Sequence, residues 1–173
     1  MIIFETGNLS ALEKYKPDGP KTAEEISNTP QVKVGKPIPD MKLTDLEGKT
    51  VSLSDCRGTI VVLEFWATWC PDCREVLPHL QTLSDTSGDA GFSVVTVSVD
   101  TRPETVRTFM KENGYSFTVL HGGINVREMF AVKAIPTLYL IDRKGVLRST
   151  LVEYGSRGTE EVDRKIRQLI DEN

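Results

Sequence analysis

Thr59-Ile60-Val61-Val62-Leu63-Glu64-Phe65-Trp66-Ala67-Thr68-Trp69-Cys70-Pro71-Asp72-Cys73 decides the fold of this 173-residue chain. The first half, Thr59 to Trp66, is β-branched and apolar on both faces, as suits a strand buried in the middle of a sheet. The second half is a helix start. Pro71 fits the first helical position, where a missing N–H costs nothing and the fixed φ is already helical, and this makes Cys70 the N-cap. Cys70 and Cys73, at i and i+3, share a helix face within the roughly 4.4–6.8 Å Cα separation of a disulfide. The pair can therefore close a small ring and reopen it. Free amides and the positive end of the helix dipole face the Cys70 sulfur and favour the thiolate, which is the nucleophile. Cys73, one turn inside, is expected to be more buried and to act as the resolving thiol. Asp72 opposes this slightly, because a carboxylate in the same turn raises the cost of a second negative charge.

Outward from that stretch, Phe92 to Val99 reads as a second buried strand ended by Asp100. Pro103 opens a helix with Val106, Phe109 and Met110 on one face, stopped at Gly114. A short strand at Ser116 to Leu120 and a helix at Asn125 to Phe130 precede Pro136. Thr137 to Ile141 and Val146 to Leu151 flank Asp142-Arg143-Lys144-Gly145 as a hairpin. The last helix begins near Thr159 and buries Val162, Ile166, Leu169 and Ile170. Upstream, Met41 and Leu43 face Val51 and Leu53 across Asp45-Leu46-Glu47-Gly48 as another hairpin. Pro78, inside the helix opened by Cys70, predicts a kink. The pattern is an α/β sandwich with a mixed sheet.

The size and 39% apolar content suit one core. The balance of 21 basic against 25 acidic residues, with no long Lys/Arg run, argues against nucleic acid as a partner. The apolar stretch from Ile60 to Ala67 is far short of a membrane span. Met1-Ile2-Ile3-Phe4-Glu5 lacks the charged leader and apolar core of a secretory signal. Residues 1–35, rich in proline with a helix-like patch at Leu9 to Tyr15, read as an extension to a domain spanning 36–173. Three cysteines are too few for a disulfide scaffold, and Cys56 reads as a small half-buried apolar residue.

Phe65-Trp66-Ala67-Thr68-Trp69-Cys70-Pro71-Asp72-Cys73 resembles the active-site stretch of thioredoxin-fold proteins, and Ala134-Ile135-Pro136-Thr137 resembles their cis-proline loop. The N-terminal hairpin and the strand and helix between Asp100 and Ala134 narrow the likeness to the TlpA/ResA-like thiol-disulfide oxidoreductases, whose insertion is shared with peroxiredoxins. The resemblance implies a thioredoxin-like α/β/α sandwich with a mixed central sheet, an N-terminal β-hairpin and a central strand-helix insertion. It also implies roles. Cys70 matches the attacking cysteine, Cys73 the resolving cysteine, Pro136 the cis-proline, and Pro78 a proline the family uses. Ile135 would present extended backbone beside Cys70 for a substrate strand, with Trp69, Pro71 and Asp72 flanking the docking surface. Glu64 stands six residues before Cys70, where thioredoxins place a buried aspartate, and becomes a candidate proton acceptor for Cys73. The alternative is a strand-edge acid that reaches solvent. Two positions depart from the pattern: Thr96 replaces the thioredoxin lysine that partners the acid, and Val76 stands where ResA-like proteins often carry glutamate, with Glu75 one residue earlier.

Trp66 reads as core packing. His79 can be drawn with the cysteines as a metal set, but no fourth ligand is evident, so no metal and no cofactor is expected. His121 reads as a loop surface residue, and Asp100-Thr101-Arg102 as a helix cap. The resemblance implies a monomeric reductant of protein disulfides, fed by an upstream thiol reductant, in the periplasm or otherwise exported, with a cytoplasmic setting as the alternative. Two other functions compete. A thiol peroxidase needs a threonine or serine three residues before the reactive cysteine and a proline four further back, where this chain has Ala67 and Leu63. A non-catalytic binding module would hold the cysteines as a permanent disulfide.

Overall fold

The computed structural model describes residues 32–123 and 125–172. In chain order the elements are β1 (Lys42–Asp45), β2 (Thr50–Ser52), a 3-10 turn (Leu53–Cys56), β3 (Ile60–Trp66), α1 (Pro71–Ala90), β4 (Phe92–Ser98), α2 (Pro103–Asn113), β5 (Thr118–His121), α3 (Asn125–Met129), β6 (Thr137–Ile141), β7 (Leu147–Val152), a second 3-10 turn (Ser156–Gly158) and α4 (Thr159–Asp171). The strands form one sheet in the order β2-β1-β5-β4-β3-β6-β7. β3, β4 and β5 are parallel and the other pairings antiparallel. The expected mixed sheet, with a β1–β2 hairpin ahead of it and α2 and β5 inserted after β4, is the observed architecture.

β3 is buried along its whole length because β4 and β6 pair with its two edges while helices cover its faces. Alternate residues divide between those faces. Trp66 packs with Phe109 of α2 at a ring-centroid distance of 5.7 Å, whereas Phe65 points the other way, to Phe130 just after α3, at 5.4 Å. Right-handed crossovers put α1 and α2 on one side. The Arg74 guanidinium of α1 lies over the Phe109 ring of α2, and His79 of α1 meets Asp163 of α4 at 2.8 Å, so these three helices form one layer. α1 runs through Pro78 as a single element, and ends where Gly91 adopts φ 79°, the left-handed conformation glycine tolerates best.

Cys70 leaves the sheet at the Trp66 end of β3. The register Val61↔Ile141 and Phe65↔Thr137 puts the β6–β7 turn at the other end. There the chain ahead of β1 is bound: Gly35 N donates to Leu147 O, Leu147 N to Lys36 O, and Ile38 N to Gly145 O. The helix-like patch at Leu9 to Tyr15 lies outside the described residues. Cys56, half-buried in the first 3-10 turn, has its thiol pushed up by burial and by the neighbouring Asp55 carboxylate.

One reading needs correction. His121 is no loop residue: it closes β5, pairs in register with Ser98 and Thr44, and bonds the Asp100 carbonyl through Nε2 at 2.9 Å. The glycine after it is needed for close approach, since a Cβ on Gly122 would lie 2.6 Å from Val97 Cγ1 and 2.7 Å from Val126 Cγ1. Gly122→Ala is therefore expected to lower the unfolding free energy by about 1–3 kcal/mol in urea titrations. A loss below about 0.5 kcal/mol, the range of an ordinary surface change, would show that β5 and α3 separate freely.

Candidate active site

Cys70 and Cys73 form a disulfide with their Cα atoms 5.3 Å apart. Cys70 is the N-cap of α1, in extended backbone conformation, and Pro71 occupies the first turn. The capping bond runs to sulfur: Cys73 N donates to Cys70 Sγ at 3.2 Å. The geometry that would stabilise a thiolate is thus present while the ring is closed. Cys70 retains 5% exposure and Cys73 none. The Ile135 carbonyl oxygen lies 3.7 Å from Cys70 Sγ, and the Ile135–Pro136 peptide is cis. Trp69 is 62% exposed beside the pair, and Pro71 and Asp72 are exposed on the same turn. Trp69, Pro71, Asp72, Ile135 and Pro136 thus lie with the two cysteines at one end of the sheet.

The turn between β3 and α1 is fixed from both sides. Thr68 donates its amide to Asp100 Oδ2 at 2.9 Å and its hydroxyl to Oδ1 at 2.7 Å, and Arg74 Nε donates to the Thr68 carbonyl at 2.7 Å. Ser98 adds its hydroxyl to Asp100 Oδ2 at 2.7 Å. Within Asp100-Thr101-Arg102, read as a helix cap, Arg102 is the N-cap of α2, with no side-chain capping bond, while the buried Asp100 carboxylate turns back to the Cys70 loop. A carboxylate deprived of water is held in place by such donors.

Glu64 lies in the middle of β3, fully buried, which removes the strand-edge alternative. It shares Trp66's side of the strand, the side covered by α1, α2 and α4. Burial pushes its carboxyl well above the usual range, and a hydrogen bond from Tyr154 Oη to Oε2, at 3.1 Å, works against that rise. Oε1 is buried with no partner among the described residues. Tyr154 drew no attention in the sequence because only the fold brings it to Glu64. Thr96, in the lysine position, accepts from Trp66 Nε1 at 3.1 Å and donates to the Thr118 carbonyl. Val76 is buried and Glu75 exposed, so neither supplies an acid beneath the cysteines. His79 bonds Asp163 rather than the cysteines.

Two outcomes follow from these carboxyls. Asp100→Ala is expected to cost about 2–4 kcal/mol, since it strands the buried Thr68 and Ser98 donors, with a smaller loss for Asp100→Asn, which keeps one acceptor. Chemical denaturation of the oxidised forms measures both. Glu64 has a folded pKa above the 4.5 it shows when free. Its contribution to stability is thus complete below about pH 4.5 and is lost as pH rises towards the folded value. Subtracting the stability of Glu64→Gln from wild type at each pH should leave a decline approaching ~1.4 kcal/mol per pH unit in that window. A flat difference would show that the carboxyl is solvated.

The family model described as "AhpC/TSA family" matches residues 34–150. The thiol-disulfide oxidoreductase ResA of Bacillus cereus (strain ATCC 10987 / NRS 248) is 31% identical over 143 residues, 82% of this chain and 83% of the relative. The thioredoxin-like protein YneN of Bacillus subtilis is 31% identical over 137 residues, covering 78% of this chain and 79% of YneN. Among solved structures, a protein from Chlorobium tepidum described as a candidate thiol:disulfide interchange protein DsbE superimposes with a TM-score of 0.75 at 30% identity, over 81% of this chain and 99% of its own. With a cysteine pair at disulfide distance on this fold, the chain belongs to the AhpC/TSA family as a thiol-disulfide oxidoreductase similar to ResA.

Proposed function

We propose that the chain reduces protein disulfides, with Cys70 attacking, Cys73 resolving and Glu64 taking the proton. The observation that carries this is the environment of Cys70 Sγ: slightly exposed, bonded by the Cys73 amide, and 3.7 Å from the Ile135 backbone carbonyl. In the reduced enzyme the Cys70 thiolate attacks one sulfur of the substrate disulfide. A Cys70–substrate bond forms, the substrate bond breaks, and the departing sulfur takes a proton from water. Cys73 then gives its proton to Glu64 and attacks Cys70 Sγ, closing the ring and releasing the second substrate sulfur, which is protonated by water. Two electrons pass to the substrate. An upstream thiol reductant returns them.

The direction follows from how little stabilises the Cys70 thiolate. One amide donates to the sulfur, Asp72 in the same turn disfavours negative charge, and no cationic side chain bonds it among the described residues. Strong oxidants owe their potential to a stabilised reduced form. At Cys70 the helix start supplies that stabilisation through a single amide with a carboxylate opposing it, so the site is suited to giving electrons away. The Ile135 backbone would pair with the substrate strand by β-augmentation, between Trp69 on one side and Pro71-Asp72 on the other. A disulfide reductant finds clients where disulfides accumulate, so an exported or periplasmic setting fits. No helix among the described residues is long and apolar enough to cross a membrane.

The family match also raises a thiol peroxidase. Ala67 and Leu63, both fully buried, occupy the positions where that chemistry needs a hydroxyl residue and a proline, so exchange between thiols and disulfides is the better reading.

Insulin reduction coupled to dithiothreitol tests the proposal. Cys70→Ser should abolish turnover, Cys73→Ser should accumulate a mixed disulfide visible by mass, and Glu64→Gln should slow its resolution by about 10- to 100-fold while leaving its formation unchanged. The equilibrium potential should lie nearer the roughly −270 mV of thioredoxin than the roughly −120 mV of a strong oxidant. Undiminished turnover in Cys70→Ser would remove the mechanism.

A further inference from the structure

We propose that Tyr154 is a positioning residue for the resolving step, its hydroxyl fixing Glu64 Oε2 so that Oε1 is the atom that accepts the proton of Cys73. The proposal rests on Glu64 being that acceptor. Tyr154 Oη donates to Oε2 at 3.1 Å, while Oε1 is buried with no partner among the described residues. One oxygen is thus committed and the other free.

The loop that carries Tyr154 is shaped around this contact. Tyr154 lies two residues past β7, with Glu153 before it at φ 48° and Gly155 after it at φ 51°. A non-glycine residue held in the left-handed region is unfavourable and persists where its surroundings dictate it. Glu153 N donates to the Pro136 carbonyl at 2.8 Å, which ties the loop to the segment beside Cys70. From the other side, Gly158 lies against the tyrosine: a Cβ there would meet Tyr154 Cβ at 2.7 Å and Cδ2 at 2.9 Å. The ring is clamped between the loop's own turn and the start of α4.

Among the described residues, Glu64 shares its surroundings with Tyr154 and, in the reduced protein, with the Cys73 thiol whose proton it is proposed to take. Its register neighbours are Thr96 on β4 and Leu138 on β6, and α4 turns Val162, Ile166 and Leu169 inward. On α1, His79 is bonded to Asp163 of α4, and Cys73 belongs to the ring. Among the described residues, Tyr154 is the polar side chain that favours the Glu64 carboxylate against its burial. Without that bond the carboxyl would hold its proton to higher pH, and less of the enzyme would have a base ready when the mixed disulfide forms.

Tyr154→Phe keeps the clamped ring and removes only the hydroxyl. The ¹³C chemical shift of the Glu64 side-chain carboxyl, titrated in the reduced protein, is expected to show its midpoint raised by about one pH unit, the roughly tenfold effect of a hydrogen bond to a charged group. Resolution of the mixed disulfide at pH 7 should slow by about three- to tenfold, since the base that remains is stronger while less of it is ionised. In Glu64→Gln, adding Tyr154→Phe should change nothing further. Gly158→Ala, which displaces the ring with its hydroxyl intact, should raise the midpoint in the same direction. An unmoved midpoint and rate in Tyr154→Phe, while Glu64→Gln slows resolution, overturns the role of Tyr154 and leaves Glu64 standing. Equal slowing by Tyr154→Phe in the Glu64→Gln background also overturns it, by placing its effect elsewhere. Unchanged resolution in Glu64→Gln itself removes Glu64, and the proposal with it.

Discussion

The Asp100 carboxylate takes both the amide and the hydroxyl of Thr68, and the angle at which β3 becomes α1 follows from that grip. A strand buried on both faces ends at Trp66, and four residues later a helix has to begin with a sulfur as its cap. Left to itself, such a turn has many conformations. Asp100 holds it from the end of β4 and Arg74 from the first turn of α1, so that Cys70 arrives against the Ile135 carbonyl in one orientation. Because β3 and β4 are parallel neighbours, their ends lie side by side, and a residue just past β4 can reach the turn after β3. The site is a product of strand order.

The two buried carboxyls of the described residues are used in opposite ways. Asp100 accepts from Thr68 N, Thr68 Oγ1 and Ser98 Oγ, which fix its geometry. Glu64 accepts from Tyr154 at one oxygen and from no described residue at the other. A buried carboxyl so poorly supplied with donors resists ionising. The role proposed for Glu64 draws on that difference: environment, more than residue type, sets the two acids apart.

The sequence made much of this visible. β3 and β4 are β-branched runs whose burial follows from composition, and Cys70, Pro71 and Cys73 declare a helix start by their own chemistry. The insertion of α2 and β5 could be read because Pro103 and Gly114 bracket a short amphipathic pattern. What could not be read depends on distant pairing. Asp100 reaches Thr68 across 32 residues and Tyr154 reaches Glu64 across 90. Asp100 just before a Pro-initiated helix has the local signature of a cap, and only the three-dimensional alternative of a free Thr68 amide drew it away. His121 looked like loop because Gly122 and Gly123 follow it, yet β1 and β4 on either side complete its strand.

The chain ahead of β1 is bound at the β6–β7 turn, the end of the sheet opposite the cysteines. The molecule thus has two poles with separate duties. One is sealed by Gly35, Lys36 and Ile38, and the other is open and chemical. Because the described N-terminal segment is fastened at the pole away from Cys70, its hydrogen bonds and the thiol chemistry make no steric demands on each other.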